Sequence, residues 1–174
     1  VETAFLPMYQ LSYFPNNQNI NGVQAYDKEV DALNQHTKAD KVYIVCSKEQ
    51  LDENGSMKIF SMIDKLSAEL SVASDNETRK RLLMRRAIAH SVLRDFEAAI
   101  SDFTYYISLD DKNSLAYWQR AVCQAEMDEF NKAEGKGVLN IHSAEADFSD
   151  AIRQNSNNAY IYYNRGNLHA GRNE

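Results

Sequence analysis

The chain has 174 residues, of which 44% are hydrophobic, enough to bury the core of one domain or of one domain with an appendage. It contains only six Gly and two Pro. So few helix-breaking residues favour long helices joined by short connections over a loop-rich β-sandwich. Its 25 acidic residues outnumber its 19 basic residues, for a formal charge of -6. A duplex-binding surface carries the opposite bias, so no nucleic-acid partner is predicted.

Neither a membrane segment nor a cysteine-based site is indicated. No run approaches the roughly 20 apolar residues that cross a bilayer, so no membrane-spanning segment is predicted. Cys46 and Cys123 lie far apart, match no metal-ligand spacing and are interpreted as small buried hydrophobes. The chain begins at Val1 without a visible signal peptide, and a removed leader or a longer parent chain would both give this start.

Residues 1–55 are predicted to form a small α+β region. Phe5 to Tyr13 alternate as in a strand, and Pro7 would place that strand at a sheet edge. Lys41 to Cys46 is a second, β-branched strand candidate, expected to pair with the first as a ribbon. A short helix between them is indicated by apolar residues at helical spacing, Tyr26, Val30 and Leu33. Asp52 to Gly55 is predicted to be a break in secondary structure before the next helix.

A lead-in helix is predicted over 56–78, before any repeat. Its apolar residues fall at helical spacing: Ile59, Ile63, Leu66 and Leu70. We expect it to pack on the next helix, which starts near Glu77, in place of a preceding repeat. That next helix carries a basic cluster, interpreted as its solvated face and formed by Arg79, Lys80, Arg81, Arg85 and Arg86.

An internal repeat begins near residue 80. An Arg followed by a small residue recurs at Arg86-Ala87, Arg120-Ala121 and Arg165-Gly166. The interval from position 86 to position 120 matches the length of a common helical repeat, and the interval from 120 to 165 is longer by 11. A second pattern, Ala-x-x-Asp-Phe-[Ser/Thr]-x-x-Ile, starts at Ala99 and again at Ala144. Each unit is therefore predicted to be a pair of helices.

The units are predicted at 80–113, 114–158 and, in part, 159–174. Turns inside units are predicted at 93–95 and 127–129, and junctions at 109–113 and 155–158, where Asp and Asn suit helix ends. The 11 extra residues are assigned to an insertion over 134–144. There the second helix of the unit is predicted to break at Gly135-Lys136-Gly137, loop out, and restart after Ser143 as an N-cap. Such insertions often lie on the binding face.

These features resemble the tetratricopeptide repeat (TPR), a 34-residue helix–turn–helix unit. The residues at its characteristic sites are Leu83, Arg86, Ala87, His90, Ala99, Phe103 and Asp111 in the first unit, Tyr117, Arg120, Ala121, Gln124, Ala133, Ala144 and Phe148 in the second, and Tyr162, Arg165, Gly166 and His169 in the third. The sequence departs from the pattern in its Arg where Leu is usual, its missing terminal Pro and its insertion. The resemblance implies a mainly α fold, with a TPR-type helix-turn-helix solenoid over 56–174 that follows the α+β region of residues 1–55.

The sequence is also similar to bacterial TPR proteins in which a non-repeat insert interrupts a longer array. Such proteins are commonly exported, so the resemblance implies an exported or periplasmic location, with a cytoplasmic one as the alternative. The third unit contains only a first helix, and we expect it to be cut from a longer array.

The resemblance further implies a binding surface, because the first helix of each TPR unit lines a concave groove. The matching side chains are Arg81, Met84, Arg85, Ile88, Leu115, Trp118, Gln119, Val122, Tyr160, Tyr163, Asn164 and Asn167. Aromatic and Arg side chains dominate interface energetics, so Trp118, the only Trp, is the first candidate. An equally open interpretation is that Trp118 and Tyr163 only contact neighbouring helices. The expected partner is a protein or peptide of unknown identity.

No motif indicates catalysis. The histidines, His36, His90, His142 and His169, form no His-Glu-x-x-His pattern, and the sequence has no Gly-x-Ser-x-Gly elbow. Asp102 is interpreted as a surface carboxylate.

We therefore predict a non-enzymatic protein-interaction scaffold with no cofactor and no metal. The alternatives are an architectural spacer within a larger multi-repeat protein, and an enzyme with a site in the N-terminal region near Tyr9, Tyr43 and Cys46.

Overall fold

A computed structural model describes residues 3–7, 41–45, 53–137, 141–155 and 157–171. These residues are mainly helical, with six helices and one pair of short strands. They belong to two compact units, Val1–Asp95 and Phe96–Glu174. The change of architecture that the sequence predicts at residue 55 stays a prediction. The helix predicted around Val30 lies outside the described residues.

The first unit contains a two-stranded parallel sheet. Strand β1 (Thr3–Pro7) pairs with β2 (Lys41–Val45), with Thr3 opposite Lys41 and Pro7 opposite Val45. The part of the first predicted strand that follows Pro7 lies outside the described residues.

Two helices complete the first unit, α1 (Glu53–Val72) and α2 (Asn76–Val92). Helix α1 includes residues 53–55, so the predicted interruption there is wrong; acidic residues favour the positive end of a helix dipole. Ile59 and Leu66 are buried, two helical turns apart, as the predicted apolar face requires. Helix α1 packs on α2, which also contacts β1.

Both ends of α2 have identifiable caps. Asp75 is the N-cap, and its carboxylate accepts a 2.8 Å hydrogen bond from the Thr78 backbone N–H. At the other end Arg94 has a φ of 62°, and the Asp95 N–H donates 2.9 Å to the His90 carbonyl. This is a Schellman arrangement with Arg in the position that usually holds Gly. The predicted turn at 93–95 is confirmed.

Helix α2 is buried on more than one face. Its buried residues include two consecutive runs, 82–85 and 87–89, as expected for a helix enclosed by its surroundings. Arg85 is only 5% exposed, so its interpretation as part of a solvated face is wrong. Its Nη2 lies 3.8 Å from the Met62 sulfur, and burial lowers the pKa of its guanidinium.

The second unit contains four helices, α3 (Phe96–Leu109), α4 (Ser114–Ala133), α5 (Ile141–Gln154) and α6 (Ala159–Ala170). Helix α4 contacts the other three, and α5 also contacts α6. This is a helical repeat-like arrangement. Its core includes Phe103, Tyr106, Ala121, Phe148 and Ile161, all buried.

The predicted junctions at 109–113 and 155–158 are confirmed as the connections before α4 and α6. Asn113 caps α4 by accepting a 3.2 Å hydrogen bond from the Ala116 N–H. The predicted turn at 127–129 is wrong, because α4 continues through it to Ala133. No Gly or Pro interrupts the helix there, and Asp128 is buried.

The extra residues of the second repeat partly lengthen α4 and partly form its connection to α5. Helix α2 ends at Val92, whose counterpart one repeat later is position 126, but α4 continues past that position to Ala133. Gly135, with a φ of 71°, follows the end of α4, and the Lys136 N–H donates 2.7 Å to the Asn131 carbonyl. A helix therefore ends at the predicted glycines, but it is the first helix of the repeat and not, as predicted, the second. Helix α5 begins at Ile141, so Ser143 lies inside the helix and the predicted N-cap there is wrong.

Candidate functional site

The residues predicted to bind a partner lie on three helices. Helix α2 carries Arg81, Met84, Arg85 and Ile88; α4 carries Leu115, Trp118, Gln119 and Val122; and α6 carries Tyr160, Tyr163, Asn164 and Asn167. The side chain of Tyr160 lies outside the described part of the structure. The α2 residues belong to the first compact unit and the others to the second.

In the first unit, the predicted residues are mostly interior. Met84, Arg85 and Ile88 are buried, and Arg81 is half-buried. Met84 and Ile88 are one turn apart on α2 and therefore share a face. Of these four residues, Arg81 alone offers substantial surface to a partner. Partner binding by the other three stays a prediction that would require the helix surroundings to open.

In the second unit, one hydrogen bond brings two predicted residues together. The Trp118 indole N–H donates to Asn164 Oδ1 at 3.2 Å, joining α4 to α6. Both side chains are buried, as are the neighbouring Leu115 and Gln119. Two further polar atoms here, Gln119 Oε1 and Asn164 Nδ2, are buried without a hydrogen-bond partner in the described part of the chain. Such atoms are uncommon, because burial removes their bonds to water.

The accessible edge of this cluster is on α6. Asn167 is exposed and Tyr163 is half-buried, and the two lie one turn apart on the helix. A partner could reach these side chains without any rearrangement. Trp118, Gln119 and Asn164 lie deeper, so they would be reached only if neighbouring side chains moved.

A close polar contact in the second unit involves residues that the sequence did not single out as a pair. Arg120 on α4 donates from Nε and Nη2 to the two carboxylate oxygens of Asp147 on α5, at 2.6 and 2.7 Å. Its Nη1 donates to Thr104 on α3 at 3.0 Å, and its guanidinium lies 5.8 Å from the centre of the Tyr117 ring. One side chain therefore ties three helices together through a bidentate charged contact.

Burial governs the electrostatics of this pair. The Asp147 side chain is 6% exposed and that of Arg120 is 17% exposed. Burial raises the pKa of the Asp147 carboxyl, and hydrogen bonds from Arg120 and Gln124 offset part of that rise. Burial lowers the pKa of Arg120, but the bonds to Asp147 outweigh it and its pKa is raised. The bidentate geometry is that of a carboxylate–guanidinium pair. Removing one member alone would leave the other buried without its main partner.

A signal for this pair was present in the sequence. In the preceding unit Arg86 and Asp102 stand at the places of Arg120 and Asp147, and the separation of the later pair is larger by 11. The difference equals the 11-residue insertion. Once the insertion is removed, the Arg and the Asp are therefore equally far apart in the two repeats. Asp102 itself is buried, and its interpretation as a surface carboxylate is wrong.

The described histidines have carboxylate neighbours. His90 Nδ1 lies 3.3 Å from Asp95 Oδ2, and His169 Nε2 lies 3.4 Å from Glu145 Oε1. Cys123 is a free, fully buried thiol whose pKa is raised by burial, which confirms its interpretation as a small hydrophobe. His36 and Cys46 lie outside the described residues.

Over the described ranges, no cluster of His, Cys, Asp and Glu has the arrangement of a metal site. Among the helices that the structure describes, none is both long enough and apolar enough to cross a bilayer.

Comparison with protein-family models, with curated proteins and with solved structures gives no match to this chain.

Proposed function

We propose that the protein is a non-enzymatic scaffold of TPR type that binds a peptide or partner protein along the surface formed by α4 and α6. The observation that supports this most directly is the buried pair of unsatisfied polar atoms, Gln119 Oε1 and Asn164 Nδ2. They accompany the Trp118–Asn164 hydrogen bond, so an acceptor, a donor and a rigid aromatic side chain occur on neighbouring helices.

The energetics favour a ligand with both donors and acceptors. Each unpaired buried polar group costs about 1–3 kcal/mol. A peptide backbone carries an N–H and a C=O at nearly every residue, and so could satisfy both atoms. Trp118 would supply a large apolar wall that loses little conformational entropy on binding. The accessible Tyr163 and Asn167 give an incoming chain its first contact.

Site-specific photo-crosslinking tests this assignment. A benzophenone side chain is placed at position 167, beside the proposed site, and, as a control, at position 105, where Tyr105 is exposed on α3. The protein is irradiated in an extract of the cells from which it comes. We expect discrete crosslinked species from position 167 and none from position 105. Species that appear equally from both positions would contradict binding at α4 and α6.

The extensive burial of the predicted binding residues favours a second candidate function. Met84, Ile88, Leu115 and Trp118 are already packed inside the chain, as they would be in an architectural spacer that holds other parts of a protein apart. In that case no specific crosslink should form at position 167 in any extract. Truncating Asn167 to Ala would then leave the behaviour of the larger protein unchanged.

A further inference from the structure

The Trp118–Asn164 hydrogen bond determines how the Asn164 amide is turned. An indole N–H can only donate, and the atom that it reaches at 3.2 Å is Asn164 Oδ1. The opposite orientation would bring the Nδ2 group, which is also a donor, against the indole N–H. Both side chains are buried, so bonds to water would not compensate for that contact. Asn164 therefore holds its oxygen towards Trp118 and turns its two N–H groups elsewhere.

The Asn164 N–H groups have no acceptor in the described part of the chain. Nδ2 is buried without a hydrogen-bond partner, in a side chain that is 5% exposed. A donor in this state has lost its bonds to water without replacing them, which is uncommon in folded proteins. The feature recurs one repeat earlier. Gln119, which precedes Arg120 as Asn164 precedes Arg165, also has a buried amide atom without a partner.

Gln119 differs from Asn164 in one respect. Among the described residues, Gln119 Oε1 has no partner that would hold the amide in one orientation. Rotating that amide by half a turn would present a donor in place of the acceptor. Gln119 can thus adapt to a ligand, whereas Asn164 presents only donors. The chemical selectivity of the site therefore comes from Asn164.

We propose that Trp118 is a positioning residue that fixes the Asn164 amide as a donor, and that the site thereby selects a carbonyl oxygen of the ligand. This inference rests on the proposed function, since only a bound peptide or partner protein brings such an oxygen to the site. Trp118 then acts through Asn164 in addition to forming an apolar wall. A ligand reaches Nδ2 once neighbouring side chains move, and its oxygen supplies the hydrogen bond that Nδ2 lacks.

The charge of the site restricts this oxygen to a neutral one. Trp118, Gln119 and Asn164 are uncharged, and each is at most 5% exposed. None of the three offers a counter-charge to a buried carboxylate, and burying an unpaired charge is far more costly than burying a hydrogen-bonded carbonyl. A backbone carbonyl occurs at every residue of a peptide. The ligand group that fits is therefore a peptide carbonyl.

Two small probes that differ in one atom test this selectivity. N-methylacetamide carries one peptide unit, and in N-methylthioacetamide a sulfur replaces the oxygen, which weakens the acceptor and strengthens the N–H donor. Each is titrated into the complete protein with isotope-labelled asparagine, and the Asn164 side-chain NMR signal is identified by its absence from Asn164→Asp. We expect a saturable shift with N-methylacetamide and about fivefold weaker binding of the thioamide, the effect of one neutral hydrogen bond. Asn113 is the internal control, since its amide oxygen and nitrogen are both engaged and its signal should not move.

Removing the indole N–H alone tests the positioning role. Trp118 is the only Trp, so a tryptophan-requiring host grown on benzothienylalanine changes this position alone and exchanges the N–H for sulfur in a side chain of nearly the same shape. The Asn164 amide can then turn either way, so about half of the molecules present donors and N-methylacetamide should bind about twofold more weakly. Its advantage over the thioamide should also shrink, because the turned amide accepts the thioamide N–H.

Two controls separate positioning from packing. Fluorotryptophan keeps the N–H and should leave both affinities unchanged. A purely structural indole would alter the stability of the protein but not the preference between the two probes. Circular dichroism spectra should confirm that each protein is folded.

Three results would overturn the proposal: no saturable shift of the Asn164 signal, thioamide binding as tight as that of N-methylacetamide or tighter, or an unchanged preference in the benzothienylalanine protein. These results are distinguishable from a failure of the proposed function. If position 167 crosslinks but both probes bind equally well, the scaffold stands and the positioning role of Trp118 is wrong. If position 167 gives no crosslink but both titrations agree with expectation, the partner surface is wrong and the donor role of Asn164 stands.

Discussion

Replacing Arg120 with Met should destabilise the second compact unit. The substitution removes both charged hydrogen bonds to Asp147 and leaves a 6% exposed carboxylate with Gln124 as its remaining side-chain donor. Removing one partner of a buried pair costs about 3–5 kcal/mol. We expect about 3 kcal/mol, the lower end of that range, because the raised pKa of Asp147 lets the carboxyl take up a proton and shed its charge.

The double variant Arg120→Met/Asp147→Leu makes the reasoning specific. It replaces both charges with apolar side chains, and such replacements are often close to neutral. We expect it to be within about 1 kcal/mol of the original protein, which implies a coupling energy of about 2 kcal/mol or more between the two sites. The free energy of unfolding is measured in urea from the fluorescence of Trp118, the only Trp, which is buried in the same unit.

Arg153→Met is the matched control. Arg153 pairs with Asp150 at 2.7 Å on α5, but its side chain is 71% exposed. The same chemical change there should alter the unfolding free energy by no more than about 0.5 kcal/mol. The reasoning would be refuted if Arg120→Met unfolded at the same urea concentration as the original protein. It would also be refuted if the double variant lost the full sum of both single effects.

Three other expectations concern single positions. The hydrogen bond from Thr78 lowers the pKa of Asp75. The cap therefore stabilises α2 above about pH 4, and this stabilisation is lost as pH falls through the folded-state pKa. The non-titrating cap Asp75→Asn should flatten the pH dependence of the unfolding free energy, measured by circular dichroism. Gly135→Ala should lower the unfolding free energy by about 1 kcal/mol, because the φ of Gly135 is 71°. Gly166→Ala should raise it by about 0.5–1 kcal/mol, because Gly166 lies inside a helix with open space around it. Thermal unfolding of the two variants measures the difference. The buried Cys123 should react with a thiol reagent only in the unfolded protein, and fast native-state labelling would contradict its burial.

Local chemistry made part of the fold predictable. The turn at 93–95 and the junctions at 109–113 and 155–158 were confirmed, because the recurring pattern and the Asp and Asn residues at helix ends act within a few residues. The expected end of a helix at 127–129 failed because the period of the first unit was applied to a unit that carries an insertion. Nothing in residues 127–129 forces a helix to end, and α4 continues.

Burial of charged residues was harder to predict. Arg85 and Asp102 were assigned to solvated surfaces because charges usually lie there, yet both are buried. Whether a charge is buried depends on groups that other helices bring to it, as α5 brings Asp147 to Arg120 on α4. For the candidate site, the sequence identified Trp118 and Asn164 as members of one surface. It left open that Trp118 contacts neighbouring helices, but it gave no indication that Asn164 would be its hydrogen-bond partner.

The seven residues by which α4 extends beyond position 126 show which lengths of insertion its pairing with α5 permits. An α-helix advances about 100° per residue, so seven residues return to within about 20° of the starting direction while the helix grows by about 10 Å. Helix α4 therefore releases the chain on nearly the same side as a shorter helix would. Helix α5 can therefore still pack on α4, with Asp147 in position for Arg120. An extension of five residues would turn the exit by about 140°. The lengths compatible with this pairing are thus spaced by whole helical turns.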